Sequence, residues 1–235
     1  CISCIAALFM NGCGTGKTAD IQNPYSLTGD NSSVSSQFFA RNLCVTDDIN
    51  FDTDQVHADY AEGAGVFDLT TKEVLYSQNL FEKLYPASTT KILTCIVAME
   101  QCKPDEVVTF SAKAASQPKV HLGAKKGEQF YMQDLWYGLM LESYNDCAYA
   151  IAEHVAGSAE KFAALMNEKA KKIGCTDSHF VTSNGLDAKD EQGEHHTTAY
   201  DLCRIMSYCA WKSPVSKQFL EVTQTLSLIH ISEPT

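Results

Sequence analysis

Positive charge is scarce in this sequence. Its 235 residues include 18 lysines and arginines against 29 aspartates and glutamates, which gives a net charge of −11 and a pI near 5.0. Binding to nucleic acid needs clustered Lys and Arg that neutralise phosphates, so the composition argues against a nucleic-acid partner. Apolar residues make up 45% of the chain, which suits the core of one medium-sized globular domain.

Metal-ligand spacing is also missing. The ten cysteines include one C-x-x-C pair, Cys1 and Cys4, and no second C-x-x-C or H-x-x-x-H accompanies it. We therefore predict neither a structural metal site nor a cofactor. Cys95, Cys147 and Cys203 lie within apolar helical segments and are predicted to be small buried side chains. The spacing leaves disulfide pairing open.

The first 13 residues resemble part of a signal peptide. Residues 1–10 have the length and apolarity of its hydrophobic region and are too short to span a bilayer, which takes about 20 residues. Because neither Met nor a basic segment precedes them, we expect the front of a precursor to be missing. Residues 10–13, Met-Asn-Gly-Cys, resemble a degenerate bacterial lipobox. This pattern leaves open whether Cys13 carries a lipid or marks a plain cleavage site.

The rest of the chain divides by composition into three segments. Residues 14–59 are rich in Ser, Thr, Asn, Asp and Gly and are predicted to be a flexible polar tether. Residues 60–222 carry the periodic apolar patterns of a folded domain, whereas 223–235 end without a cap, turn or completed element. Within the domain the patterns predict a hairpin followed by a helix-rich region, an α+β arrangement whose sheet needs more strands than this chain supplies.

Three Ser-x-x-Lys sequences occur in the chain, and their surroundings differ. They are Ser88/Lys91, Ser116/Lys119 and Ser158/Lys161. The spacing places both side chains on one helix face, where a lysine kept neutral by burial can take the proton of the serine hydroxyl. The second pair opens no helical pattern, and the third predicts a helix N-cap with a solvated lysine. Only Ser88 and Lys91 open a helix that is apolar on nearly every face, where a lysine is costly unless it has a function. We therefore predict a nucleophile and its base at this pair.

A second candidate element lies in a break between two predicted apolar helices, at Ser143-Tyr-Asn145. Residues on a loop held between rigid helices are well placed to reach into a cleft. Ser143 is suited to relay a proton towards a leaving group, and Asn145 to hydrogen-bond a substrate amide or the lysine. The residue types alone leave an ordinary polar helix–helix turn as an equal alternative.

Four segments of the chain together resemble the D-alanyl-D-alanine carboxypeptidases, the low-molecular-weight penicillin-binding proteins of peptidase family S11. The longest is the nucleophile segment at 84–94, Leu-Tyr-Pro-Ala-Ser-Thr-Thr-Lys-Ile-Leu-Thr. The others, in the same order as in the family, lie at 143–148, 183–187 and 196–202. The similarity extends from about residue 64 to about residue 219, so residues 60–222 would form a partial catalytic domain of this family.

The resemblance implies a serine β-lactamase/transpeptidase-like fold, with an antiparallel sheet and a helical cluster. It implies that Ser88 attacks the penultimate D-Ala carbonyl of peptidoglycan stem peptides ending in D-Ala-D-Ala, with Lys91 as the proton acceptor. Terminal D-Ala then leaves, and water hydrolyses the acyl-enzyme. Ser143 and Asn145 would complete the proton network and the substrate contacts, and β-lactam antibiotics would acylate Ser88. An exported location at the bacterial cell surface or periplasm follows, with membrane attachment if Cys13 carries a lipid.

The third motif of that family, Lys-Thr-Gly on a sheet strand, is absent from this sequence. One Lys-Thr pair occurs, at Lys17 and Thr18 in the predicted tether, and Ala19 follows it. The resemblance assigns to the missing strand the contact with the substrate carboxylate and one backbone donor of the oxyanion hole. We therefore expect the 235-residue chain itself to be inactive and the segment 223–235 to be foreign to the family.

The sequence leaves two alternative functions open. The first is a β-lactamase or esterase on the same scaffold; a class A β-lactamase would also need a loop glutamate that activates the deacylating water. Glu191 and Glu194 are nearby in sequence, but their surroundings do not resemble such a loop. The second is a non-catalytic cell-wall-binding relative with a degenerate site, against which the intact site residues argue.

Overall fold

The computed structural model describes residues 60–68 and 73–224. The predicted signal remnant 1–13, with Cys13, and the predicted tether 14–59 lie outside the described residues and remain predictions. The predicted hairpin is present: strands β1 (Ala64–Asp68) and β2 (Glu73–Gln78) pair antiparallel. Val66 pairs with Tyr76 and Phe67 with Val74, so Leu75 is the extra residue of a β-bulge in the second strand.

A buried helix, α1 (Thr90–Met99), forms the centre of the domain. A 3₁₀ turn, Ala87–Thr89, precedes it, so Ser88 lies just before the helix and Lys91 is its second residue. Nine of its ten residues are buried, as its all-round apolar pattern predicts. Lys91 is the one charged residue among them. The helix packs against five of the helices that follow it along the chain.

The remaining helices surround α1 and their ends follow recognisable capping signals. They are α2 (Ala112–Ala115), α3 (Met132–Met140), α4 (Asn145–Ala156), α5 (Ala159–Ile173), α6 (Ala199–Trp211) and α7 (Ser216–Gln224). Ser158 caps α5 by accepting a hydrogen bond from the backbone N–H of Lys161, and Gly174 ends it in the left-handed conformation. Thr198 caps α6 in the same way through the N–H of Asp201. The predicted N-cap at Ser158 is confirmed.

Two further small antiparallel sheets complete the described domain. Strand β3 (Val107–Thr109) pairs with β4 (Gln129–Tyr131), and β5 (Lys189–Asp190) pairs with β6 (Gly193–Glu194). The strands of the first pair have three residues each and those of the second only two. Small antiparallel sheets beside a helical cluster confirm the predicted α+β class. Within the described ranges no helix combines the length and the apolarity needed to cross a membrane.

The cysteines follow the prediction with one correction. Cys95 and Cys147 are fully buried, whereas Cys203 is only half-buried. All six cysteines of the described ranges are free thiols. Helix α7 includes the first two residues, 223 and 224, of the segment predicted to be a tail; the remainder of that segment lies outside the described residues.

A polar network closes the end of α1 that lies farthest from Lys91. Glu100 follows the last helical residue and accepts hydrogen bonds at Oε1 from Tyr208 Oη (2.7 Å) and Ser213 Oγ (2.7 Å). Its other carboxylate oxygen pairs with the ammonium of Lys169. One carboxylate thus joins the central helix to α5, α6 and the turn after α6.

Candidate active site

Ser88 lies in the 3₁₀ turn that leads into α1, with its side chain exposed. The preceding residue, Ala87, has a φ of +47°, an unfavourable value for a residue with a Cβ. Backbone strain of this kind concentrates at functional positions, where surrounding structure holds it in place. The turn therefore presents the Ser88 hydroxyl at the positive end of the central helix.

Lys91 lies one turn further along and is only 2% exposed. Its Nζ is 3.0 Å from Ser88 Oγ, 2.9 Å from Asn145 Oδ1 and 2.8 Å from the backbone oxygen of Asn184. Burial lowers the pKa of Lys91 from 10.5 to about 8, although the thiol of Cys147 opposes this shift. About a tenth of this amine is therefore neutral at pH 7, far more than for an ordinary lysine, so it is able to accept the proton of Ser88.

Asn145 begins α4 and is fixed on both sides of its amide. Besides holding Lys91, it donates from Nδ2 to the Pro118 oxygen at 3.1 Å. Its backbone N–H donates to the oxygen of Val120 at 2.8 Å. The two predicted roles of Asn145 were a contact with the lysine and a contact with a substrate amide, and the structure places it against the lysine.

Ser143 lines the same cleft and is half-buried in the break between α3 and α4. Its φ of +60° is a left-handed conformation, which is uncommon for serine and turns the chain sharply before Asn145. The three hydrogen-bond partners of Lys91 Nζ are Ser88, Asn145 and Asn184, so Ser143 stands beside the network without bonding to the lysine. Its predicted role as a proton relay remains a prediction.

The backbone of Asn184 is held against Lys91 by the glycine that follows it. Gly185 has a φ of +82°, and a Cβ built on it would lie 1.8 Å from the Ala87 oxygen and 2.9 Å from Thr90 Oγ1. Only glycine permits so close an approach to the strained turn before Ser88. The Asn184 side chain is anchored as well, by donation from Nδ2 to Gln117 Oε1 at 2.9 Å.

These residues surround an open cleft of about 300 Å³. One wall is the loop over residues 117–123, which the buried Asp146 at the start of α4 holds in place. Its Oδ1 accepts from the backbone N–H of Leu122 and its Oδ2 from that of Gly123, both at 2.9 Å. The opposite wall is the segment over residues 184–187. A cleft of this size, lined by an exposed serine, has room for a short peptide end.

A buried histidine supports the start of α1 from behind. His195 Nε2 is 2.9 Å from Thr90 Oγ1, and His195 Nδ1 accepts the backbone N–H of Val181 at 2.9 Å. Burial, with a smaller effect of the neighbouring histidines, lowers its pKa to about 4. The ring is therefore neutral near pH 7, and because Nδ1 accepts, Nε2 carries the proton and donates it to Thr90.

The two other Ser-x-x-Lys pairs have no such arrangement. Ser158 is the confirmed cap of α5, and Lys161 is exposed. Ser116 Oγ donates to the backbone oxygen of Lys113. Lys119 does line the cleft, on the loop over residues 117–123.

The segments that form the site were predicted from the sequence, but some of the groups that they contribute were not. Asn184 and Gly185 lie inside the block at 183–187 that carries the resemblance, where Asn-Gly is a turn signal. The contribution of Asn184 is a backbone oxygen, for which no side-chain pattern exists. Asp146 directly follows the predicted Asn145, and its two contacts with the loop become visible only in the fold.

The described domain has an α+β fold, and a Ser/Lys pair lies at the start of its central buried helix. In fold it is similar to the penicillin-binding proteins and related transpeptidases. The chain belongs to the D-alanyl-D-alanine carboxypeptidase family, whose family model matches residues 50–228. This membership confirms the resemblance stated for the four sequence segments.

Individual relatives agree with this assignment. The chain is 35% identical over 147 residues to the D-alanyl-D-alanine carboxypeptidase DacF of Bacillus subtilis, covering 60% of this chain and 37% of that protein. The D-alanyl-D-alanine carboxypeptidase DacD of Francisella tularensis superposes with a TM-score of 0.65 at 29% identity, over 76% of this chain and 43% of the other. The ampicillin-bound penicillin-binding protein D2 of Listeria monocytogenes gives a TM-score of 0.57 at 26% identity, over 66% and 63%. The chain thus spans less than half the length of the curated carboxypeptidase that it matches.

Proposed function

We propose that the protein is a serine-type D-Ala-D-Ala carboxypeptidase that removes the terminal D-alanine from peptidoglycan stem peptides. The observation that carries this proposal is the 3.0 Å contact between Ser88 Oγ and the buried amine of Lys91. Membership of the D-alanyl-D-alanine carboxypeptidase family supplies the substrate class. The nucleophile and its base meet at the open cleft, which is where an activated serine must stand to reach a peptide carbonyl.

The reaction divides into acylation and hydrolysis. Lys91, as the neutral amine, takes the proton of Ser88 while Oγ attacks the penultimate D-Ala carbonyl carbon. The C–N bond to the terminal D-Ala breaks, and the departing nitrogen receives a proton, for which Ser143 at the cleft wall is the proposed relay. Water then attacks the Ser88 ester and releases the shortened peptide. Asn145 keeps the lysine aimed at Ser88 throughout, at 2.9 Å.

β-Lactam antibiotics are proposed to acylate the same serine, because their strained amide carbonyl can occupy the position of the D-Ala carbonyl. The likeness to an ampicillin-bound penicillin-binding protein supports this proposal. A class A β-lactamase would need a glutamate beside the acylated serine. Of the described residues that line the cleft, Asp187 is the only one with a carboxylate, and Glu194 instead accepts a hydrogen bond from Tyr85 Oη. The carboxypeptidase is therefore favoured over the β-lactamase.

The proposed substrate, peptidoglycan, lies outside the cytoplasm. We propose that the protein is exported and acts at the cell wall or in the periplasm, with Cys13 as the lipidated residue if the lipobox-like segment is functional. Replacement of Cys13 by serine would then release the protein from the membrane fraction, whereas removal of an unlipidated cysteine would leave its distribution unchanged.

The decisive experiment is acylation of the full-length protein, by which we mean the entire product of the gene that encodes this chain. A fluorescent penicillin should label it stoichiometrically, and Ser88→Ala should abolish both the label and the release of D-Ala from a pentapeptide. Ser158→Ala is the matched control: it removes the serine of another Ser-x-x-Lys pair, so it should lower stability slightly and leave labelling intact. Labelling that survives Ser88→Ala would overturn the proposal, and fast turnover of the bound penicillin would favour a β-lactamase.

A further inference from the structure

Three potential metal ligands meet on the side of the domain away from the cleft. Cys102 follows the end of α1, Glu106 directly precedes β3, and His154 lies in the last turn of α4. Their ligand atoms, one thiol sulfur, one carboxylate oxygen and one imidazole nitrogen, all lie within 4.8 Å of one another. Their sequence separations, four and then 48 residues, match no common metal-binding motif, which is why the sequence predicted no metal.

Glu106 is already oriented towards the other two ligands. Its Oε1 accepts the backbone N–H of Lys103 at 2.7 Å, which leaves Oε2 facing His154 Nε2 at 3.1 Å. The sulfur of Cys102 lies within 4.8 Å of a carboxylate oxygen of Glu106. A backbone hydrogen bond to the second oxygen of a ligating carboxylate is the usual support around a metal site. The cluster is therefore held together before any ion is present.

The donor set and the spacing both suit a zinc-class ion. A thiolate, an imidazole and a carboxylate together are the ligands that Zn²⁺ and Co²⁺ accept in tetrahedral sites, with water in the fourth position. Such an ion needs its ligand atoms roughly 3.3–3.8 Å apart, so the three side chains need to move by only about 1 Å. The thiol proton leaves to solvent on binding, after which the thiolate and the carboxylate balance the two positive charges of the ion.

We propose that Cys102, Glu106 and His154 bind one divalent ion of the zinc class, with solvent completing the coordination. The site joins the C-terminal ends of α1 and α4, the two packed helices that carry Lys91 and Asn145 near their N-terminal ends. At a rise of 1.5 Å per residue, nine to eleven residues place it roughly 15 Å from the Ser/Lys pair. The ion therefore takes no part in acylation. It links the C-terminal ends of the two helices that position Lys91 and Asn145.

The test uses Co²⁺ as a spectroscopic probe on the full-length protein, kept reduced with a phosphine. The protein should bind one more Co²⁺ per chain than the variants Cys102→Ser, Glu106→Gln and His154→Gln. That Co²⁺ should show a sulfur-to-cobalt charge-transfer band in the near ultraviolet, which Zn²⁺ removes by displacement. At a Zn²⁺ concentration about 100-fold above Kd, the melting temperature should rise by about 5 °C in the unsubstituted protein and in none of these three variants.

Two control variants match the ligands. Cys175→Ser removes another half-buried thiol, and His179→Gln disrupts another histidine–carboxylate pair, the one with Asp190, that has no cysteine beside it. Both should retain the full stoichiometry and the band. Equal Co²⁺ binding by the unsubstituted protein and by Cys102→Ser would overturn the proposal. Loss of the band in Cys102→Ser, with unchanged affinity in the other two variants, would also overturn it, because it would reveal a thiol adduct rather than a three-ligand site.

Discussion

Lys91 must be neutral to accept a proton, and its environment decides at which pH this happens. Burial lowers its pKa from 10.5 to about 8, so the neutral fraction rises with pH and is nearly complete about one pH unit above 8. We therefore expect the penicillin acylation rate of the full-length protein to rise about tenfold between pH 6 and 7 and to level off above pH 8. Stopped-flow acylation across this range measures the profile.

Lysine variants separate this explanation from a general effect of pH. In Lys91→Arg the guanidinium stays protonated, so acylation should fall by at least about 100-fold at every pH. Lys161→Arg changes an exposed lysine at the same Ser-x-x-Lys spacing and should leave the profile unchanged. A rate that continues to rise up to pH 10 would show that Lys91 keeps its ordinary pKa, contrary to its burial.

Gly185 lets the 183–187 segment touch the nucleophile turn, and an added methyl group would separate them. In Gly185→Ala the new Cβ meets the Ala87 oxygen at 1.8 Å, in addition to the cost of a positive φ. We expect a loss of at least about 2 kcal/mol in the free energy of unfolding and a slower acylation, because the Asn184 oxygen withdraws from Lys91.

The matched control for this substitution is Gly127→Ala. Gly127 has a φ of +88° and open space around its Cβ position, so the change should cost about 1 kcal/mol and leave acylation unaffected. Urea unfolding measures both variants. Similar losses in the two proteins would mean that the contact with Ala87 is not rigid.

Side chains and backbone groups of the site differ in how well sequence can reveal them. Ser88, Lys91 and Asn145 were predicted, because a lysine in an apolar helix and a polar break between helices are visible as residue types. The oxygen of Asn184 and the neutral ring of His195 were not. A backbone oxygen has no residue signature, and the burial that keeps His195 neutral depends on contacts more than 100 positions apart in sequence. A separation of 48 residues likewise hid the relation of Glu106 to His154.

At the scale of elements, Glu100 connects α1 to the helices around it through a partly buried carboxylate. Burial by itself would raise its pKa, but the hydrogen bonds from Lys169, Ser213 and Tyr208 outweigh it and hold the pKa below the ordinary value. A lowered carboxyl pKa gives stability that is present above the unfolded pKa, near 4.3, and is lost as pH falls through the folded pKa. Glu100→Gln should therefore cost about 2–3 kcal/mol at pH 7 and much less near pH 3.

The control for this prediction is an ion pair with the same chemistry on the surface. Glu168→Gln removes an exposed carboxylate that pairs with Lys172 four residues further along α5. Its cost should stay below about 0.5 kcal/mol at either pH. Urea unfolding of both variants at pH 7 and pH 3 gives the comparison, and an equal cost for Glu100→Gln at the two pH values would contradict the assignment.

Long, well-capped helices were predictable, and short elements were not. The cap of α5 at Ser158 and its end at Gly174 are local signals that act within one turn, so the sequence contains all the information needed. Helix α2 has four residues, and the strands β5 and β6 have two each, too few for a periodic pattern. Such pieces form because neighbouring elements offer partners: α2 packs against α4, and the segment between β6 and α6 pairs with Leu84 and His179.

At the scale of the whole molecule, the described part of the site forms without residues from a large sheet. The contacts among Ser88, Lys91, Asn145 and Asn184 all come from the helical cluster and the loops between its helices. The described residues supply the proposed nucleophile, its proposed base and two walls of a cleft. Catalysis by transition-state stabilisation further needs donors aimed at the developing oxyanion, and the family resemblance assigns one of these donors to the Lys-Thr-Gly strand.

The Ser/Lys pair forms within the described residues, whereas a complete site would also need the Lys-Thr-Gly strand. Acylation of the 235-residue chain tests whether the pair suffices. The 235-residue chain contains no Lys-Thr-Gly sequence, so it should form no covalent adduct with labelled penicillin, whereas the full-length protein should label stoichiometrically. Removal of one oxyanion donor costs on the order of 100–1000-fold in rate, and loss of the carboxylate contact adds to this. Intact-mass spectrometry after incubation with penicillin, with Ser88→Ala as the blank, measures the adduct. Stoichiometric labelling of the 235-residue chain would show that the Ser/Lys pair and the helical walls suffice for acylation, and that the strand serves the substrate rather than the nucleophile.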